Sequence, residues 1–200
     1  MTASTDATTR FTLSDIDVGT RLFEALAQHA RLAQGAPIGY GDLLTLARGL
    51  HPRDATLARA VPVGIGMKLQ FVASFCIANG FPNLACLAAN KETMRPGPGY
   101  QGDWEADRRA AAAFDWAAAG VGLAAYASAA RAAVPRHLKA RKERPADVTW
   151  YAYFCSHREA CAKVTGDDKK EIINLLMAGL DPETALGTVL GAKAEFGEQA

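Results

Sequence analysis

The sequence predicts a mainly α (α+β) fold: a winged-helix-like core with one small sheet, followed by a helical C-terminal region. Three observations carry this prediction. Apolar residues recur with the helical period along most of the chain. Half of the 200 residues are hydrophobic, enough to fill a core. A single short apolar run, residues 84–89, lies between turn residues and is typical of a buried strand.

These signals divide the chain into four predicted parts. They are a disordered tail at 1–10, a winged-helix-like core with Ala-rich helices at 11–133, a basic linker at 134–148 and a helical region at 149–200. The tail is polar and contains no apolar stretch of the kind found in a secretory signal. The longest apolar stretch, 61–78, is interrupted by polar residues, so we expect a cytoplasmic protein with no membrane association.

The first helix is expected to begin near Ser14, where Asp17 follows three residues later in a variant of the capping box. Leu22 and Leu26 continue its apolar face, and Pro37 lies just beyond its end. The hydroxyl and the carboxylate together predict a well-defined helix start.

The next elements are short. We predict a helix at 42–48 and a second one at 55–61 that Asp54 caps. Pro62 suits the first position of a further helix that runs to about residue 78. The expected strand at 84–89 comes next.

Glycine and proline residues mark the loops and helix boundaries in the remaining chain. Residues 90–102 hold two Pro and three Gly and predict an ordered loop or wing. The Ala-rich stretch 104–133 contains Gly120 and Gly122, which favour two helices. Near the C-terminus, Asp181 caps a helix whose first residue is Pro182, and this helix forms either a packed hairpin or a homodimer element with its predecessor.

Cysteine spacing argues against a zinc site, because no two cysteines are separated by two residues. Cys76 and Cys86 stand in apolar runs without a basic neighbour, so we expect both to be buried and unreactive. No phosphate loop, nucleophile elbow or paired-histidine motif is present, and the sequence predicts a non-enzymatic protein without a cofactor or metal.

Cations surround the predicted helix at 55–61. Arg48 and Arg53 precede it and Arg59 lies within it, while Lys91 and Arg95 stand on the predicted wing. A winged helix places a recognition helix in a groove of DNA and its wing against the backbone, and both need exposed cations.

Residues 22–100 resemble the DNA-binding half of the alkyltransferase-like family, which are winged-helix proteins. The family pattern IPxGxxxTYGxLA corresponds to residues 36–44, and the Arg-Ala-Val of its recognition helix corresponds to residues 59–61. The family's wing ends in Gly-Tyr, which here is the pair at 99–100. The resemblance implies a DNA-binding winged helix, with Tyr40 among the residues that contact DNA.

The family's reactive motif, Pro-Cys-His-Arg, is absent from this chain. The nearest equivalent, residues 82–85, reads Pro-Asn-Leu-Ala, and no histidine accompanies Cys86. Because an alkyl-accepting thiol needs a base to activate it, the resemblance does not carry repair activity to this protein.

A basic cluster stands out in a chain whose formal net charge is +1. Between residues 131 and 144 the only acid is Glu143, and the local charge is about +5. The cations are Arg131, Arg136, Lys139, Arg141, Lys142 and Arg144. Such a run clamps phosphates, docks an acidic protein or serves as a solvated linker, and the sequence leaves these alternatives open.

These observations support two alternative functions. The leading one is a non-enzymatic DNA-binding protein with a regulatory role. The alternative is a small protein-interaction factor or inhibitor, such as an accessory protein of a plasmid or phage system that acts on conjugative transfer. A contiguous positive face through Arg53, Arg59, Lys91 and Arg95 would favour DNA, whereas a neutral aromatic patch would favour a protein partner.

Overall fold

A computed structural model of the protein describes residues 11–100, 102–135, 138 and 142–197, apart from the side chains of 144 and 195–197. This part of the chain is mainly helical and holds one two-stranded sheet, as predicted. The helices are α1 (Leu13–Ala33), α2 (Tyr40–Leu50), α3 (Ala55–Arg59), α4 (Gly66–Ala78), α5 (Trp104–Ala113), α6 (Leu123–Ala133), α7 (Glu143–Ser156), α8 (Gly166–Met177) and α9 (Pro182–Gly197). The strands are β1 (Ile38–Gly39) and β2 (Ala88–Ala89), and two short 3-10 helices span Pro62–Gly64 and Leu84–Leu87.

The N-cap of helix α1 is Thr12, two residues before the predicted Ser14, and the helix begins at Leu13. The Thr12 side chain accepts a hydrogen bond from the Asp15 amide at 3.2 Å, and the Asp15 carboxylate accepts one from the Thr12 amide at 3.0 Å. Asp15 is buried. Its carboxylate accepts a hydrogen bond in this cap and also pairs with a lysine from another helix, described below.

The predicted strand at 84–89 is largely wrong. Residues Leu84–Leu87 form a 3-10 helix, and only Ala88–Ala89 are extended, paired in parallel with Ile38–Gly39. The physical reason is the Asn83 side chain, which accepts a hydrogen bond from the Ala85 amide at 3.1 Å and so nucleates a turn. The run is buried as expected, but in a tighter conformation.

Residues 11–135 form what we call the core unit, and interlocked aromatic rings fill its interior. The Phe23 and Phe75 rings meet edge to face with centroids 5.0 Å apart, and Phe75 also contacts Tyr126 at 5.4 Å. Phe114 and Trp116, from the connection between α5 and α6, pack with centroids 4.7 Å apart. Helices α1, α4 and α6 are thereby held around one core.

Residues 142–197 form what we call the C-terminal unit, with an apolar cluster of its own. Trp150 of α7, Ile172 of α8 and Val189 of α9 are buried together. Helix α7 starts at Glu143, inside the segment 134–148 that was predicted to be a linker, since Pro145 falls in its first turn.

A buried ion cluster joins the two units. The Lys68 Nζ of α4 lies 3.2 Å from the Glu171 Oε1 of α8 and 3.5 Å from the Asp15 Oδ1 of α1, and it donates to the Gly64 carbonyl at 2.6 Å. Burial opposes the charged form, but the two carboxylates outweigh it and raise the pKa of Lys68 above its usual value. A β-carbon at position 64 would lie 2.0 Å from the Glu171 carboxyl carbon, so any larger residue there would displace Glu171 from its present position in the cluster.

Candidate nucleic-acid interface

The two segments that resemble the alkyltransferase-like family lie side by side. The β1–β2 pair brings the start of α2 next to the loop at 90–100. The Tyr40 hydroxyl accepts a hydrogen bond from the Gly97 amide at 2.9 Å, and the Tyr100 hydroxyl donates to the Asp107 carboxylate. Tyr40 is buried, which raises the pKa of its hydroxyl, so it anchors the loop and does not present a free surface to DNA.

The loop at 90–100 is ordered by its own hydrogen bonds. The Asn90 amide donates to the Arg95 carbonyl at 2.8 Å, and the Met94 amide donates to the Asn90 carbonyl at 2.8 Å. Met94 adopts a left-handed conformation with a φ of 51°, which closes the turn. These eleven residues are all described and contain no strand, so the predicted wing is a tight loop and not a hairpin.

The loop exposes two of the predicted cations, Lys91 and Arg95. The Arg95 guanidinium lies 5.4 Å from the centroid of the Trp104 ring, and Arg108 lies 5.3 Å from it. The Trp104 indole donates to the Cys86 carbonyl at 2.8 Å, which fixes the ring. Arg95 is therefore oriented by an anchored aromatic ring.

The exposed side of helix α2, next to this loop, carries small and mostly uncharged side chains. Gly41, Thr45 and Gly49 are exposed along it, together with Asp42 in its first turn. Arg53 is exposed in the turn that follows α2. Lys91 lies beside the N-cap of α2, its β-carbon 3.7 Å from where a β-carbon of Gly39 would be, and Arg53 follows the other end. The eleven residues of the helix span about 16 Å between these two ends.

Two other predicted contacts belong to the fold. The Arg48 guanidinium donates to the Leu57 carbonyl at 3.4 Å and to the Ala60 carbonyl, where it caps the end of α3. Arg59 is half-buried, and its Nε has no hydrogen-bond partner among the described residues. The Arg59 carbonyl accepts from the Asn174 side chain of α8 at 3.2 Å.

The helix predicted at 55–61 is therefore shorter in the structure, and its role as a recognition helix stays a prediction. Helix α3 has only five residues, and the carbonyl of its last residue accepts a hydrogen bond from α8. The expected row of cations from Arg53 to Arg59 does not form one exposed face.

Charges of both signs share the surface around the loop. The cations there are Lys91, Arg95, Arg108 and Arg109, and the acids are Asp42, Glu92, Asp103, Glu105 and Asp107. The Arg108 Nη2 is 3.0 Å from the Glu105 carboxylate. Electrostatic attraction to a polyanion would thus be local to the α2 face and not spread over the whole unit.

Of the basic cluster at 131–144, the structure describes cationic side chains only near the two ends. Arg131 pairs with Asp17, its Nη2 2.7 Å and its Nε 3.0 Å from the Asp17 Oδ1. Lys142 is the exposed N-cap of α7. Arg136, Lys139 and Arg141 lie outside the described residues, as does the side chain of Arg144.

A groove of about 410 Å³ lies between α1, α3 and α6, and its charged side chains pair with one another. The Arg21 Nε is 3.1 Å from Asp54, and Arg21 also approaches Glu24 at 3.4 Å. Burial would raise the pKa of Asp54, but the Leu57 amide and Arg21 hold it below its usual value. In the part of the chain that is described, no three His, Cys, Asp or Glu side chains are arranged to hold a metal ion.

The predicted burial of two cysteines is confirmed. Cys76 and Cys86 are fully enclosed, and burial raises the pKa of Cys76 to about 11 and of Cys86 to about 12. Both are therefore protonated thiols at neutral pH, the form that is a poor nucleophile.

Sequence reasoning did not group together three exposed apolar residues of the C-terminal unit. Helix α7 leaves Val148, Tyr151 and Phe154 exposed by 60%, 69% and 37%. The available signal was that apolar residues occupy both sides of this helix, because Ala146 and Trp150 face the interior.

Comparison with known proteins identifies no relative: no protein-family model, curated protein or solved structure matches the chain. No described helix is both long enough and apolar enough to cross a membrane.

Proposed function

We propose that the protein binds DNA without acting on it chemically, through the outer face of α2 and the loop at 90–100. The observation that carries this proposal is the presence of exposed cations near both ends of α2, Lys91 beside its N-cap Gly39, with Arg95 in the same loop, and Arg53 in the turn after its last residue. The resemblance of residues 22–100 to alkyltransferase-like proteins supports the same function.

The shape of the face suits a DNA backbone. Gly41, Thr45 and Gly49 project little from α2, so a sugar–phosphate strand can approach the helix closely. The separation of about 16 Å between the two ends is comparable to the major groove, about 12 Å wide, together with a flanking phosphate. Cations at that spacing position a duplex through its phosphates.

The basic segment 136–144 supplies a second set of phosphate contacts in this proposal. It carries five Lys or Arg and one Glu and follows directly after the core unit. Because acids also surround the loop at 90–100, much of the affinity should come from this segment and should fall steeply with salt.

The test is a fluorescence-anisotropy titration of a labelled duplex at several salt concentrations. Lys91→Ala combined with Arg95→Ala should weaken binding and lower the salt slope by about one per lost phosphate contact. Arg53→Ala should do the same at the other end of α2.

Lys170→Ala is the matched control, because Lys170 is an equally exposed cation on α8 whose partner is Asp167. It should leave binding unchanged. If the unaltered protein fails to bind duplex DNA at low salt, the proposed function is wrong.

A further inference from the structure

The buried ion cluster between the two units divides into halves that each keep their own polar contacts. On the core side, the Lys68 Nζ donates to the Gly64 carbonyl at 2.6 Å and lies 3.5 Å from the Asp15 carboxylate. On the C-terminal side, the Glu171 Oε2 accepts a hydrogen bond from the Asn174 side chain at 3.1 Å. The Lys68–Glu171 ion pair, at 3.2 Å, crosses from one half to the other. Separation of the units breaks this ion pair but leaves each charged group with a partner in its own unit.

The apolar contact across the junction is small. Among the described residues, Val63 is the one core-unit residue that packs against the apolar cluster of the C-terminal unit, and it is only partly buried. Helices α8 and α9 both contact the 3-10 helix Pro62–Gly64, which carries Val63. Because each unit encloses an apolar cluster of its own, separation of the two would leave both clusters in place.

The charges at the junction also limit how strongly it is held. The side chains of Lys68 and Glu171 are only 3% and 5% exposed, so docking removes both groups from water. This loss of hydration offsets much of the attraction between the two charges, and both groups regain water when the units separate. The junction therefore opens more easily than an apolar interface of the same size.

The fit at the junction is nevertheless specific. The Glu171 carboxyl group occupies the space beside Gly64 where any other residue would place its β-carbon. The Asn174 side chain donates a second hydrogen bond, at 3.2 Å, to the Arg59 carbonyl at the end of α3. Two neighbouring residues of α8 thus fix one position of the C-terminal unit on the core unit.

We propose that this junction is a latch, from which the C-terminal unit is released as a folded body when Glu171 separates from Lys68. Release costs less free energy than unfolding of either unit, because sub-global opening occurs where few apolar contacts are lost. The closed form holds α8 on the end of α3 and on the 3-10 helix Pro62–Gly64, and the open form frees both. The latch is independent of the α2 face and of DNA binding.

Chemical modification of Lys68 measures this release in the unaltered full-length protein. Lys68 is enclosed in the closed form, whereas the Lys170 side chain is 64% exposed and serves as the reference. An amine-reactive ester should modify Lys170 quickly and Lys68 slowly, which peptide mass spectrometry would follow. Over the same period a thiol reagent should not label Cys76 or Cys86, because the core unit stays folded during release.

Gly64→Ala should favour the open form, because its β-carbon would take the space of the Glu171 carboxyl group. We expect modification of Lys68 to be at least about tenfold faster and the radius of gyration from small-angle scattering to be larger. Circular dichroism should not change. Gly66→Ala is the matched control, since a β-carbon at that position meets no atom within 4 Å, and it should leave the modification rate unchanged.

Asn174→Ala is a second variant, which removes the hydrogen bond to the Arg59 carbonyl without adding volume. It should also speed up the modification of Lys68, and it keeps the test decisive if Gly64→Ala does not fold. Reaction of Lys68 only together with the two core cysteines would overturn the proposal, because the junction would then open only by unfolding of the core unit. An unchanged rate in both variants, or a faster rate without a larger radius of gyration, would also overturn it.

Discussion

The core unit and the C-terminal unit differ in the size of the apolar cluster that each encloses. In the core unit Phe23, Phe71 and Phe75 are all enclosed in one aromatic network. In the C-terminal unit Val148 and Tyr151 remain exposed. A small three-helix unit has little interior volume, so a helix that is apolar on two sides buries only one of them. The larger unit thus encloses an interlocked aromatic core, whereas the smaller one leaves apolar side chains of α7 exposed.

The largest expected effect comes from breaking the junction between the units. Lys68→Met leaves Asp15 and Glu171 as buried carboxylates without their cation. Breaking a buried pair in this way costs about 3–5 kcal/mol of unfolding free energy, to be measured by chemical denaturation.

Two variants sharpen that measurement. Lys68→Met with Glu171→Gln should recover part of the loss, because one buried charge is then removed with its partner. Lys170→Met, which disrupts an exposed ion pair, should cost less than about 1 kcal/mol. If Lys68→Met costs no more than this control, the cluster does not hold the units together.

The next largest effect is expected on DNA binding, from replacing cations of the basic segment between the units. Replacing Lys139, Arg141 and Lys142 by alanine should lower the salt slope of duplex binding by roughly two to three, about one per lost phosphate contact. Any preference among DNA sequences should survive, since phosphate contacts carry no sequence information.

A control with the same change in net charge is available in the C-terminal unit. Lys163, Lys169 and Lys170 are exposed, and their joint replacement by alanine should leave the slope unchanged. Equal slopes for the two triple variants would show that only net charge matters and not the segment.

Acidic pH is expected to have a smaller effect, on the stability of the C-terminal unit. Burial would raise the pKa of Asp168, but hydrogen bonds from Lys193 and Thr165 outweigh it and hold this pKa below the usual 3.8. The carboxylate therefore stabilises the fold fully above about pH 4, and this contribution is lost as pH falls through the lower folded-state pKa.

Asp168→Asn should cost about 1 kcal/mol at neutral pH, because the Lys193 ion pair is lost while the helix cap is kept. Thermal melts at neutral and acidic pH should show a smaller acid-induced decrease in Tm for the variant than for the unaltered protein. An identical decrease in both would contradict this role.

The smallest effect compares the thiols of the two units. Cys76 and Cys86 are enclosed in the core unit with raised pKa values, whereas Cys155 is exposed on α7. A thiol reagent should label Cys155 quickly in the native protein and the two core cysteines only on unfolding. Cys155→Ser should abolish the fast phase, and rapid labelling of Cys86 would show that the core opens.

The sequence by itself determined the local features of this protein. Asp54 caps α3 and Asp181 precedes α9 with Pro182 in first position, both as predicted, because such caps join residues two or three positions apart. The mainly α fold and the burial of Cys76 and Cys86 followed in the same way from periodicity and apolar context.

Only the tertiary structure decided how distant residues are used. Lys68 meets a carboxylate 103 positions away, and the Arg59 carbonyl accepts a hydrogen bond from Asn174, 115 positions away. The sequence shows the chemistry of such residues but not their neighbours, and it therefore could not show that the Arg48 and Tyr40 side chains make hydrogen bonds within the fold. Local patterns are fixed by backbone geometry within a few residues, whereas burial and pairing depend on which helix faces meet when the chain closes.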